Sequence, residues 1–279
     1  MTHHTTPDQG FPVGGFPYPA EGGEKTVVQG PTHAMSGAAA GLALATTLPV
    51  SWGGVTTTAE ILAYTALTAG AALLPDLDAP GSTVARTFGP VTGLLARAVA
   101  SVSVLVVNVT GTRKDARISG GHRTATHTLW FALLVGFLAW SIGGAFGDNG
   151  MVGMLVFFSG LALRGLFPRW AKERAGLVVV AVAVGLGVAA YETVPALHTP
   201  LMPASAVTAG VLAHLAGDML TKSGVPLTSP VIPRGGKRWW NWTLPGAVTI
   251  RTSGVWDQAL LLVFTGLATW QLYLVLMEL

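Results

Sequence analysis

Apolar residues run through this chain in long blocks separated by short polar connections, not in the narrow stripes of a soluble helix. Eight blocks stand out: Ala34–Val50, Thr57–Leu74, Leu94–Val109, Thr128–Gly144, Met151–Leu166, Gly176–Tyr191, Ala204–Leu220 and Val255–Met277. A bilayer-spanning helix needs about 20 residues, within a range of about 17 to 25, and several blocks sit at the short end. Many are rich in Gly and Ala, whose small side chains let membrane helices approach closely. The pattern predicts an all-α protein, a polytopic bundle of transmembrane helices. Eight successive apolar helices argue against the alternative, a soluble helical protein with buried hairpins.

Ahead of the first block, residues 1–30 are rich in Gly, Pro and Thr and hold no apolar run. No basic segment leads into a hydrophobic one, so this stretch does not read as a cleavable signal peptide. It reads as a disordered cytoplasmic tail, with His3 and His4 incidental to it. Residues 31–279 then form one membrane-embedded domain.

Composition agrees with the pattern. Of 279 residues, 51% are hydrophobic and 10% charged, where a soluble domain carries about 25% charged residues; the mean hydropathy is +0.55. There is no cysteine, which excludes disulfides, thiolate ligands and Cys nucleophiles. The net charge of +3 and pI near 9.4 do not point to nucleic acid here, because Lys and Arg in a membrane protein mark cytoplasmic loops. Membrane lipids are the expected partners.

Those basic residues orient the chain. They gather at Lys25, at Arg86, in Arg113, Lys114, Arg117 and Arg123, in Arg164, Arg169, Lys172 and Arg174, and in Lys222, Arg234, Lys237, Arg238 and Arg251. The connections 51–56, 145–150 and 192–203 contain none. The positive-inside rule places the first set in the cytoplasm and the second outside. The third block has basic residues at both ends and Arg97 within it, so it breaks the alternation and reads as re-entrant or interfacial. The result is about seven spans plus one non-spanning helix, with the N-terminus cytoplasmic and the C-terminus outside. In the loop 221–253, Trp239, Trp240 and Trp242 stand beside Lys237 and Arg238. This reads as an interfacial anchor, with a lipid-headgroup contact surface as the sharper alternative. Glu60 and Glu192, near outer helix ends, are expected to be solvated.

Ionisable residues near membrane depth are costly and therefore functional candidates. Four groups qualify: His33 at the start of the first helix, Asp76 and Asp78 in Leu74-Pro75-Asp76-Leu77-Asp78, His122 and His127 before the fourth, and His214 with Asp218 near the end of the seventh. His214 and Asp218, four apart, share a helix face. Two carboxylates at a helix C-terminus want a compensating cation. Each group alone has an ordinary structural explanation. Together they fall at helix ends that the Lys/Arg distribution, which uses none of them, assigns to one side. Imidazole with carboxylate suits zinc, manganese or iron. Seven candidate ligands exceed the four of a structural zinc, so two divalent ions are expected, and paired ions support hydrolysis.

Thr32-His33 with Gly37 and Gly41, then Leu74-Pro75-Asp76-Leu77-Asp78, His122-Arg123 with Thr126-His127, and His214-x-x-x-Asp218 followed by Thr221, Gly224-Val225 and Pro230 occur in that order. From His33 to Pro233 the chain resembles the YdjM-type family of bacterial membrane-bound metal-dependent hydrolases. The resemblance implies a hydrolase of the bacterial inner membrane, distantly similar to zinc-dependent phospholipases C and single-strand nucleases. It implies that His33, Asp76, Asp78, His122, His127, His214 and Asp218 are metal ligands or their immediate partners. Asp78 and Arg123 are then the expected catalytic residues, Arg123 binding a substrate anion. Thr128 stands where the family pattern leads one to expect Ser. The leading expectation is a phosphoesterase acting on a lipid-linked or headgroup phosphate at the cytoplasmic face. The competing readings are an ion transporter, which would want polar residues continuing into the apolar outer halves of the helices, and a scaffold with a structural metal, which would not need seven ligands.

Overall fold

The computed structural model describes residues 30–79, 81–82, 84–118, 122–174, 176–246, 249–250 and 254–277. The tail expected before Gly30 lies outside these, as does Arg251. The described residues form helices α1 (Gly30–Thr47), α2 (Thr58–Ala71), α3 (Pro90–Thr110), α4 (Leu129–Leu166), α5 (Pro168–Glu173), α6 (Gly176–Thr193), α7 (Leu201–Met219) and α8 (Gly254–Met277), with short 3-10 turns between them. Among the described residues there are isolated β-bridges but no strand. The all-helical expectation holds.

Five segments are long and apolar enough to cross a membrane: Thr58–Asp78, Pro90–Thr110, Leu129–Leu166, Gly176–Thr193 and Gly254–Met277. The expected total of seven spans divides the chain differently in two places. First, α4 holds two expected spans in one 38-residue element, interrupted at Gly147, whose φ is 51°. A Cβ on Gly150 would lie 2.6 Å from the Ile142 carbonyl. Eight residues of straight helix would separate those positions by about 12 Å, so α4 is a hairpin with Gly147 at its bend. Second, α1 and α7 are not among the five.

Those two helices form the centre of the bundle with α2. Close approach is possible because glycine faces the contact: a Cβ on Gly37 of α1 would sit 2.6 Å from the Ala72 Cβ, and one on Gly210 of α7 would sit 2.4 Å from the Thr68 carbonyl oxygen. Without water to drive apolar association inside a bilayer, this dispersion packing of small residues is what joins the helices. It brings α1's first turn, α2's end and α7's last turns together.

Helix α3 packs chiefly against the 3-10 segments Leu74–Asp78, Val84–Arg86 and Ala125–His127. Thr92, Ala96, Ser103 and Val107 form its buried face, while Val91, Leu95, Ala98, Val102, Leu105 and Val109 make an exposed apolar stripe at alternating spacings of four and three. At the opposite end of the bundle, α2 begins with a capping box in which Thr57 accepts from the Glu60 N–H and Glu60 accepts from the Thr57 N–H. Glu60 is therefore buried as a helix cap, where the sequence suggested a solvated side chain. A first-turn carboxylate is favoured there by the orphan N–H groups.

Candidate metal centre

Each component of the cluster stands where a helix starts or stops. His33 lies in the first turn of α1, and His214 and Asp218 lie one turn apart near the end of α7. Helix α2 stops at Ala71 because Pro75 has no N–H for the Ala71 carbonyl; the chain tightens into the 3-10 turn Leu74–Asp78, which carries both aspartates. His127 closes the 3-10 turn Ala125–His127, after which the Thr128 side chain caps α4 by accepting from the Phe131 N–H.

Four ligand atoms converge. His127 Nε2 and His214 Nε2 are 3.2 Å apart. Asp218 Oδ2 lies 3.4 Å from the first and 3.6 Å from the second, and Asp76 Oδ1 lies 4.0 Å and 3.8 Å from them. Ligands about 2.0–2.1 Å from a tetrahedral zinc stand about 3.3 Å from one another. His127, His214 and Asp218 are therefore close to that size, and Asp76 stands farther out.

Proton positions follow from the neighbours. His214 Nδ1 is 2.8 Å from the Ala72 carbonyl oxygen, which can only accept, so Nδ1 carries a proton. Thr126 Oγ1 donates its single proton to Asp78 Oδ2 at 2.6 Å, so at 3.0 Å it must accept from His127 Nδ1. In the neutral rings both Nε2 atoms are then bare lone pairs facing each other at 3.2 Å among carboxylate oxygens. That arrangement is repulsive unless a metal ion or a proton lies between them. Metal-bound histidines commonly have their second nitrogen fixed by just such an acceptor. Burial pushes the His127 pKa down, against the pull of the Asp218 and Asp78 carboxylates, which favours the neutral ligand form.

Other atoms also await a partner. His33 stacks on His214 with ring centroids 3.7 Å apart, and its Nε2 is 3.6 Å from Asp218 Oδ1. Both His33 ring nitrogens and Asp218 Oδ2 are buried without a hydrogen-bond partner, which is costly unless an ion satisfies them. The residues fit a divalent cation. His33, His214 and Asp218 make one group with metal-binding spacing; Asp76, His127 and His214 make the other. The groups share His214, whose one free lone pair serves a single ion.

The remaining expected residues form the rim. His122 Nδ1 is 3.0 Å from Asp78 Oδ1, and 38% of its side chain is exposed, against 0% for His127. Burial alone would lower its pKa, but the hydrogen bond and charge of Asp78 outweigh that and raise it. Asp78 thus lies between His122 and Thr126, bracing both histidines from behind. Arg123 adopts a left-handed φ of 54°, unfavourable for a side chain with a Cβ. It is held by two hydrogen bonds, NH2 to Asp218 Oδ1 at 2.7 Å and NH1 to Thr221 Oγ1 at 2.9 Å. Thr221 Oγ1 in turn donates to the Asp218 carbonyl at 2.7 Å.

All seven expected ligand residues and Arg123 are brought to one end of the bundle. His33, His127, His214 and Asp218 are at its floor; Asp76, His122 and Arg123 border its partly open side. Thr126 and Thr221 belonged to the motifs without an assigned task, and the contacts make them orienting groups. The Ala72 carbonyl has no sequence signal at all; it is one of the acceptors a terminated helix leaves without an intrahelical donor.

A family model described as YdjM inner membrane protein matches residues 28–277. No curated protein and no solved structure matches the chain significantly.

Proposed function

This chain belongs to the YdjM inner membrane protein family, and we propose that it is a metal-dependent hydrolase of phosphate esters working at the cytoplasmic face of the bacterial inner membrane. The observation that carries the reading is the pair of Nε2 lone pairs of His127 and His214, 3.2 Å apart and flanked by Asp76 and Asp218. We place one divalent ion, zinc by ligand preference, on those four residues. A second would lean on His33 and Asp218 Oδ1, where the Arg123 guanidinium already supplies positive charge.

A divalent ion there supplies Lewis-acid chemistry, polarising a phosphoryl oxygen and making water a better nucleophile. The chain's own residues do the rest. Arg123 holds Asp218 in place and keeps further N–H groups, including a buried and unpaired Nε, for a phosphoryl oxygen. Asp78 orients His122 and raises its pKa, which favours the protonated form whose other nitrogen hands a proton to the leaving oxygen. Thr126 and the Ala72 carbonyl hold the tautomers of His127 and His214.

The matching topology has seven spans, with the arms of α4 counted separately, α1 and α7 crossing, and α3 lying in the interface. The N-terminus is then cytoplasmic and the C-terminus outside, and the site is level with the lipid headgroups. A lipid-linked or headgroup phosphate fits that placement.

The test is elemental analysis of purified protein together with hydrolysis of bis(p-nitrophenyl) phosphate and p-nitrophenyl phosphate. Stoichiometric transition metal that is lost in His127→Ala and His214→Ala, with activity lost in parallel, supports the reading. Wild-type protein without metal overturns it. Metal-loaded protein that cleaves neither ester yet moves ions across liposomes assigns the cluster to transport.

A further inference from the structure

Two loops far apart in sequence, Thr110–Ile118 after α3 and Thr228–Trp242 after α7, are fastened into one surface at the same end of the bundle as the metal centre. Asp115 is the fastener. Its Oδ2 accepts from the Thr112 N–H at 2.7 Å and the Arg238 N–H at 3.0 Å, and its Oδ1 from the Trp239 N–H at 3.1 Å. Trp239 Nε1 donates to Thr110 Oγ1 at 2.9 Å, Thr112 Oγ1 to the Gly236 carbonyl at 2.9 Å, and Lys114 Nζ to the Gly235 carbonyl at 3.2 Å.

What this joining displays is one-sided. The two loops hold six basic residues and a single acid, and that acid is spent on backbone N–H groups. Arg113, Lys114, Arg117, Arg234, Lys237 and Arg238 are all exposed. Beside them an open hollow of about 350 Å³ is lined by Asn108, Gly111, Thr112, Arg113 and Arg117 among others. Like charges gathered by a built contact are destabilising on their own, so the gathering points to an anion.

Apolar groups interleave with the charges. Val231 and Ile232 are exposed at 60% and 51%, and Val109, the last member of the α3 stripe, at 72%. Arg234 lies over the Trp240 ring at 5.1 Å. The Trp240 and Trp242 indoles donate to the Ile232 carbonyl and to Thr228 Oγ1, so both rings are fixed. A fixed basic rim, tryptophans and protruding aliphatic side chains, continuous with an apolar helix face, are the ingredients of a bilayer interface. Nucleic acid would want the charges and aromatics but gains nothing from exposed Val and Ile.

We propose that this surface is a binding site for anionic phospholipid headgroups of the protein's own leaflet, with phosphates on Arg113, Arg117 and Lys237 and with α3 and Val231–Ile232 sunk among the acyl chains. The proposal stands on these loops alone and is independent of the metal reading. Bound lipid would hold the rim of the metal centre at headgroup level.

Arg113, Arg117 and Lys237 are suited to a test because their side chains make no hydrogen bond or ion pair among the described residues. Full-length protein is purified in detergent, supplied with phosphatidylglycerol or phosphatidylcholine of the same acyl chains, and the retained lipids are counted by native mass spectrometry. Wild type should prefer phosphatidylglycerol, and added salt should weaken that preference. The triple variant R113Q/R117Q/K237Q should lose about fivefold of it per charge removed, with melting temperature and metal content unchanged. Equal retention of both lipids by wild type, or an unaltered preference in the variant, overturns the proposal. So does a single-stranded oligonucleotide that displaces phosphatidylglycerol from wild type, which would reassign the surface to nucleic acid. None of these outcomes touches the metal content of wild type, so failure here is separable from failure of the hydrolase reading.

Discussion

Replacing Thr126 by Val removes one hydroxyl and preserves the shape of the side chain. Thr126 is buried, and its oxygen links His127 Nδ1 at 3.0 Å to Asp78 Oδ2 at 2.6 Å, the sole such link among the described residues. The direct His127 Nδ1–Asp78 Oδ2 distance is 3.7 Å, beyond a hydrogen bond. In Thr126→Val the Nδ1–H would therefore be stranded, at a cost of about 1–3 kcal/mol for a buried donor. His127 has an escape: the proton moves to Nε2 and is donated to His214 Nε2 at 3.2 Å. That relieves the metal-free protein and closes the cation site, because the lone pair that would bind metal now carries hydrogen. Metal binding must reverse the tautomer and strand the donor again. Loss of such a supporting group weakens metal binding by about 10–100-fold, or about 1.4–2.7 kcal/mol. Thr126→Ser keeps the hydroxyl and should bind as wild type does. Zinc affinity, measured by competition with a chromophoric chelator, decides the matter. A Thr126→Val protein within about twofold of wild type would refute the tautomer argument, given the expected range.

Gly210→Ala places a Cβ 2.4 Å from the Thr68 carbonyl oxygen and 2.7 Å from the Ala71 Cβ; parting α7 from α2 should cost about 1–3 kcal/mol and draw Ala72 away from His214, lowering both melting temperature and bound metal, and if neither falls the packing account is wrong. Burial works to lower the pKa of His122, but Asp78 outweighs it and raises it, so as a general acid His122 keeps its proton above the usual histidine range and the rate falls as pH rises through that raised value. Asp78→Asn removes the supporting charge and should shift the basic limb of the kcat/KM profile to lower pH; a limb that stays put removes His122 from that role. Burial works to raise Asp115, yet the N–H groups of Thr112, Arg238 and Trp239 hold it below the ordinary carboxylate range. Its contribution is therefore complete above the unfolded value of about 3.9 and fades as pH falls through the lower folded value. Asp115→Asn should speed hydrogen exchange at the Arg238 and Trp239 amides at neutral pH, and unchanged exchange would show that the loops do not depend on the carboxylate.

The legibility of this protein in its sequence divides along a physical line. Blocks of apolar residues declare helices because bilayer burial requires every backbone group to be paired within its own segment. The His and Asp residues declare a site because charge near membrane depth is rare without a reason. The span pattern was less legible. Helices α1 and α7, expected as spans, are not among the five segments long and apolar enough to cross a membrane, while α3, expected to lie in the interface, is among them although it packs on the 3-10 segments of the site end. The division of α4 was legible: the bend at Gly147 falls within the connection 145–150 that the sequence set between two apolar blocks.

Within the site, residue types and their shared side were written in the chain, and all eight expected residues meet at one end of the bundle. Their division of labour was not. Asp78 and Asp76 are two positions apart in one motif, yet one braces His127 and His122 from behind and the other faces the Nε2 pair. His122 and His127 share a segment, yet one is partly exposed and the other buried. Sequence spacing settles which chemistry is available, because side-chain type is local. Which nitrogen is bare depends on acceptors such as the Ala72 carbonyl and Thr126, and Ala72 reaches His214 only because α2 and α7 meet at Gly210. The sequence by itself determined a membrane helix bundle with a set of His and Asp residues of metal-ligating type at one face; only the packing of the helices, governed by contacts between residues over a hundred positions apart, decided which of those atoms face one another.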